Sequence, residues 1–76
     1  MVDIAVWGEG LRARRRFFES DSVAVVEAWV GRVLGLDMRQ NKLWTGLLRI
    51  TLEDGTLTLR EAGIKDKHAM AVTPRR

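Results

Sequence analysis

Only one stretch of this chain carries the three-and-four spacing of a helix. Over residues 23–34, "VAVVEAWVGRVL" places Val23, Val26, Val30, Val33 and Leu34 on a single stripe. The segments on either side alternate in period two or turn. A chain of 76 residues with one main helix and several short strands has few ways to hide its apolar surface. Helix and sheet must cover each other. Because valine is a weak helix former, packing of the stripe has to hold this helix. "SDS" at residues 20–22 offers N-cap side chains, with Asp21 also suited to the positive end of the helix dipole, and Gly35 is a natural terminator.

The opening "VDIAVW" sets Val2, Ile4 and Val6 on one strand face and Asp3, Ala5 and Trp7 on the other. "GEG" at residues 8–10 turns the chain, and "LRARRRFFE" returns as the hairpin partner. "KLWTGLLRITL" reads as two short strands bent around Gly46, with Leu48, Ile50 and Leu52 on one face. After a turn at Asp54 and Gly55, "LTLREAG" suits one helical or 3₁₀ turn ending at Gly63. "HAMAV" is a last strand that Pro74 closes. The helix supplies the long crossover that lets the first and last strands pair in parallel at the centre of the sheet.

At this length one compact core must provide the stability, since only roughly 60% of the unfolded surface is buried. The chain forms a single domain, with a flexible tail expected over residues 72–76. Hydrophobic residues make up 46% of the chain and cysteine is absent, which excludes disulfides and thiolate metal sites. No apolar run approaches a membrane span, and the N-terminus lacks a secretory pattern. A cytoplasmic or nuclear, membrane-free, monomeric domain is expected. The net charge of +3 is local: Arg12, Arg14, Arg15, Arg16, Arg75 and Arg76 hold six of the thirteen basic side chains.

Several short segments resemble the ubiquitin-like family. "SDSVAVVEAWVGRVLGL" looks like its entry into a helix that ends at a glycine, here Gly35, followed by an apolar residue. "KLWTG" resembles its strand ending in an aromatic, a small residue and a glycine. "LEDGTLTLREAGI" is similar to its "L-E-D-G-x-T-L-x-x-x-x-I" segment, with Leu59 and Ile64 on the two core positions. The resemblance spans nearly the whole chain. It implies an α+β, ubiquitin-like β-grasp: a mixed sheet of four to five strands with one main helix on one face, needing no cofactor. The sequence departs from the family in two places. Conjugated members end in Gly-Gly, whereas this chain reads Thr73-Pro74-Arg75-Arg76, so conjugation is not expected of it. Of the apolar patch that ubiquitin receptors grip, Leu43 stands at the isoleucine position. Ala71 and Thr73 replace the histidine and valine, and Glu9 lies where a leucine is usual.

The candidate interaction surface is Arg12, Arg14 and Arg16 on one strand face, Val25 and Trp29 off the helix stripe, and Leu43. A solvated sheet face accounts for the arginines better than a binding role does, because their stems cover apolar neighbours and nothing else in the chain is basic except the tail. Arg15 points toward the core by strict alternation and needs a bulge or an edge position to escape. Trp7 and Trp44 are read as packing residues, with Trp44 half-buried at a strand end. His68 stands alone, Ser20 and Ser22 are explained by capping, and no catalytic or metal constellation assembles. The reading is a non-catalytic protein-interaction domain. The alternatives are a small basic nucleic-acid-binding domain using the strand at residues 12–16, and a chain engineered onto this fold with no selected function.

Overall fold

The computed structural model of the chain describes residues 1–8, 10–45, 52 and 54–74. β1 (Val2–Gly8) and β2 (Leu11–Phe17) form the hairpin in unbroken register, from Val2 opposite Phe17 to Gly8 opposite Leu11. Gly10 takes the positive φ of 76° that closes so short a connection. The helix α1 spans Val23–Leu34, β3 spans Asn41–Thr45 and β4 spans His68–Pro74. Among the described residues the sheet order is β2-β1-β4-β3, with the first and last strands parallel at its centre and antiparallel pairs outside them. This is the mixed sheet with one covering helix that the sequence implies. No helix among the described residues is long and apolar enough to cross a membrane.

The sheet's inner face carries Val2, Ile4, Val6, Phe17, Met70 and Val72 against the helix. Val23, Val26, Val30 and Leu34 are buried as their spacing demands, but two positions trade places. Val33 is 48% exposed, while Trp29, off the stripe, is only 7% exposed. Reach explains the exchange. The Trp29 ring extends over the sheet edge to meet Phe17 edge-on, centroids 5.4 Å apart at 75°. A valine one turn further along the same flank is too short to do the same.

The helix start is capped by backbone and not by "SDS". Ser22 has the extended cap conformation without a side-chain capping bond, and the Asp21 carboxylate instead accepts the Phe18 N–H at 2.9 Å. The first free donors of α1 go to the segment that follows β3. The Val23 N–H reaches the Leu57 carbonyl at 2.8 Å, and the Ala24 N–H reaches that of Gly55 at 3.1 Å. Leu59 and Arg60 donate back to the carbonyls of Asp21 and Glu19, at 2.8 and 3.1 Å. Gly55 approaches so closely that a Cβ there would sit 3.2 Å from the Ala24 Cβ. The crossing segment is therefore stitched to the helix entry.

Within that segment Thr58 and Glu61 cap each other. The Thr58 N–H donates to Glu61 Oε1 at 2.9 Å, and the Glu61 N–H to Thr58 Oγ1 at 3.1 Å. The turn they open ends at Gly63, φ 78°, and delivers Leu59 and Ile64 into the core. Leu52 is also buried, and its N–H donates to the Leu43 carbonyl at 2.8 Å. The strand expected around Gly46, Leu48 and Ile50 lies outside the described residues, as do Glu9, Arg75 and Arg76. Val72, Thr73 and Pro74, expected in a flexible tail, belong to β4, and Val72 is buried.

Leu59→Ala removes a fully buried side chain from this plug and should lower unfolding stability by about 3 kcal/mol, read as a shift of the urea midpoint at constant m-value. Thr58→Ala, which breaks only the reciprocal cap, should cost about 1 kcal/mol in the same titration.

Candidate functional site

The helix occupies the inner face, so among the described residues the outer face of the sheet carries no covering element. Strand alternation places Asp3, Ala5 and Trp7 of β1 there, with Arg12, Arg14 and Arg16 of β2, Ala69, Ala71 and Thr73 of β4, and Lys42 and Trp44 of β3. Register aligns Arg12, Trp7, Ala71 and Trp44 in one row across all four strands. Neighbouring strands lie about 4.8 Å apart, so the two tryptophans stand roughly 10 Å from each other along that row. The next row is Arg14, Ala5 and Ala69. Small side chains thus form a floor beside Trp7.

The two tryptophans are not equivalent. Trp44 is half-buried, its indole N–H donates to Thr73 Oγ1 at 2.6 Å, and the Lys42 ammonium lies 4.5 Å from its ring centroid. Trp7 is 45% exposed. It separates two depressions. One, of about 470 Å³, is lined by Ala5, Trp7, Arg12, Ala13 and Arg14. The other, of about 190 Å³, lies between Trp7, Ala5, Ala69, Asp3, Arg14, Lys67 and His68.

The charges on this face are unevenly committed. Arg14 is forked onto Asp3, Nε to Oδ1 at 2.8 Å and Nη2 to Oδ2 at 2.5 Å. Those hydrogen bonds hold the Asp3 carboxyl below the usual carboxylate range, helped by the fields of Arg14, Arg16 and Lys67, and they raise Arg14 in turn. Arg12 and Arg16 have no carboxylate within ion-pair distance among the described residues. Among those residues no three His, Asp or Glu side chains gather at metal-binding spacing.

The residues singled out from the sequence scatter. Arg12, Arg14 and Arg16 share the outer face. Arg15 faces the other way without any bulge; as part of edge strand β2 it stays exposed and lays its guanidinium 4.8 Å from the Phe17 ring centroid. Val25 is exposed, but on the helix, across the molecule from the arginines. Trp29 is buried against Phe17 and cannot pair with Val25 on a surface. Leu43, only 1% exposed, faces the core opposite Val72, and its outward neighbours on β3 are Lys42 and Trp44, the latter paired with Ala71. The alignment that put Leu43 at the outward isoleucine position is off by one residue. The reading also missed Trp7, although the parity of "VDIAVW" already opposed it to Val2, Ile4 and Val6.

Solved structures match the chain over nearly its whole length. The solution structure of the ubiquitin-like domain of an Arabidopsis thaliana protein aligns with a TM-score of 0.84 at 16% identity, covering 99% of this chain and 78% of that one. The ubiquitin of Caldiarchaeum subterraneum aligns with a TM-score of 0.82 at 18% identity, covering 99% and 94%. ATBAG1, solved in complex with HSP70, aligns with a TM-score of 0.80 at 16% identity over 97% of this chain and 40% of that chain. No protein-family model and no curated protein sequence matches the chain. The fold is the ubiquitin-like β-grasp.

His68 lies beside the inward-facing Ile4, and its Nε2 is buried with no hydrogen-bond partner among the described residues. Burial pushes its pKa below the usual histidine value. The stability owed to neutral imidazole is thus fully present above about pH 6.5, its unfolded value. It is lost as pH falls from there through the lower folded pKa, because the unfolded chain takes up the proton first. Urea unfolding should show stability declining across that window, and His68→Leu should flatten the decline.

Proposed function

We propose that this ubiquitin-like β-grasp domain is a non-catalytic protein-interaction module that works through the outer face of its sheet. The observation that carries this reading is Trp7, a large aromatic left nearly half exposed between an alanine floor and two arginines on an otherwise well-packed strand. Tryptophan and arginine are the side chains most often found where binding energy concentrates. A chain packing only for stability gains little from leaving an indole in water. The HSP70 complex of ATBAG1 supports a protein partner for this fold, since a chain with this architecture within it takes part in a protein assembly. The helix face, where Val25 and Val33 are exposed, lacks basic residues other than Arg32 and serves as the comparison surface.

The test is affinity capture from lysate with the parent domain, a Trp7→Ser, Arg12→Glu double variant and Val25→Ser. Proteins bound by the parent should be lost with the outer-face variant and kept with the helix variant. A bound set unchanged by the outer-face substitutions, or no bound set at all, would overturn the reading. The latter is the result a chain engineered onto the fold without a selected partner gives.

A further inference from the structure

Resting on the outer face as the contact surface, we infer that its partner is an acidic peptide segment carrying one large apolar side chain, which docks against Trp7. Three observations define that chemistry. The first is charge. Arg14 is already neutralised by Asp3, whereas Arg12 and Arg16 on either side of it are unpaired among the described residues. Two guanidiniums spaced along one strand face ask for two carboxylates on an opposing segment, and a guanidinium binds carboxylate in a planar fork. The second is shape. Trp7 rises beside Ala5, Ala69 and Ala71, and the depression of about 470 Å³ at its Arg12 side has the volume of a small binding pocket. A leucine or phenylalanine fills such a niche with an indole for one wall and arginine stems for the other.

The third observation decides between macromolecule classes. A single nucleic-acid strand also seeks cationic charge, but it stacks successive bases on successive aromatic rings. Within its four strands this face offers one open ring; the other exposed ring, Phe18, lies just beyond the end of β2. Trp44, the second in the row, has Lys42 over its ring and its N–H committed to Thr73. With one platform and a recess of small residues, the surface suits one apolar anchor flanked by acids better than a run of stacked bases.

The experiment titrates the isotopically labelled domain with a short peptide of glutamates around a leucine–phenylalanine pair, following backbone amides and the Trp7 indole by NMR. Its comparison probes are the same peptide with serines replacing the apolar pair, and an oligothymidylate of equal length, each at low and high salt. The apolar acidic peptide should perturb β1 and β2. Its affinity should fall by about tenfold with the serine peptide, and similarly with Trp7→Ala or with Arg12→Ala and Arg16→Ala together. Val25→Ser should change nothing. Melting curves for Trp7→Ala should match the parent, since that ring is not part of the core. Equal binding of the serine peptide, tighter binding of the oligothymidylate, or no shift with any peptide would overturn the inference. If outer-face substitutions abolish protein capture while no acidic peptide binds, the acidic chemistry falls and the contact face stands. If they alter neither, both fall.

Discussion

Four backbone hydrogen bonds join residues 19–24 to residues 55–60, and the position of the helix depends on them. A helix so rich in valine cannot hold its own first turn. Its unsatisfied N–H groups are met by carbonyls from a distant part of the chain, each bond contributing a net ~1 kcal/mol while locking direction as well as distance. The close approach of Gly55 to Ala24 is the steric side of the same constraint. Once the entry is pinned, the stripe from Val23 to Leu34 falls across the centre of the sheet, Leu59 and Ile64 seal its open flank, and none of the described helix or crossing residues packs on the opposite face. That face is left for solvent or a partner by the geometry of the core.

Parity and order were the legible parts. Alternation in "VDIAVW" and "HAMAV", one helical stripe, and the glycines at residues 10, 35 and 63 were enough to place the hairpin, the helix and the parallel central pair. What escaped depends on how far a side chain reaches. A helical wheel ranks Val33 nearer the stripe than Trp29, yet the indole spans the gap to Phe17 and the valine does not. In "KLW" either Leu43 or Trp44 could turn inward by composition alone. The tryptophan goes outward, where Thr73 accepts its N–H, and leucine, with no polar atom to satisfy, takes the core. Ser22 of "SDS" does hold the cap position, but its side chain makes no capping bond; the carbonyls that meet the first donors are invisible to side-chain patterns. The reciprocal pair of Thr58 and Glu61, by contrast, was written in "TLRE" and simply passed over.

The same distinction governs the candidate face. The three arginines could be read from strand parity, but their inequality could not, because it rests on Asp3 engaging Arg14 across the hairpin while Arg12 and Arg16 find no carboxylate among the described residues. The contrast between Trp7 and Trp44 likewise arises from Thr73, which accepts the indole N–H across the β3–β4 pair, and from Lys42, two residues back on the same face of β3. Binding character therefore resides in cross-strand relations, which register creates and composition cannot disclose.

The parallel pairing of β1 with β4 has a temporal consequence. Ile4 finds its neighbour only when His68 has been made, so during synthesis one side of β1 stays open through almost the entire translation of the domain. At about 5–20 residues per second, an apolar strand border waits several seconds for its mate. Unsatisfied borders of that kind recruit other nascent chains. The guanidiniums on the adjoining strand emerge immediately afterwards and set like charge beside that border, which opposes its pairing with a second copy.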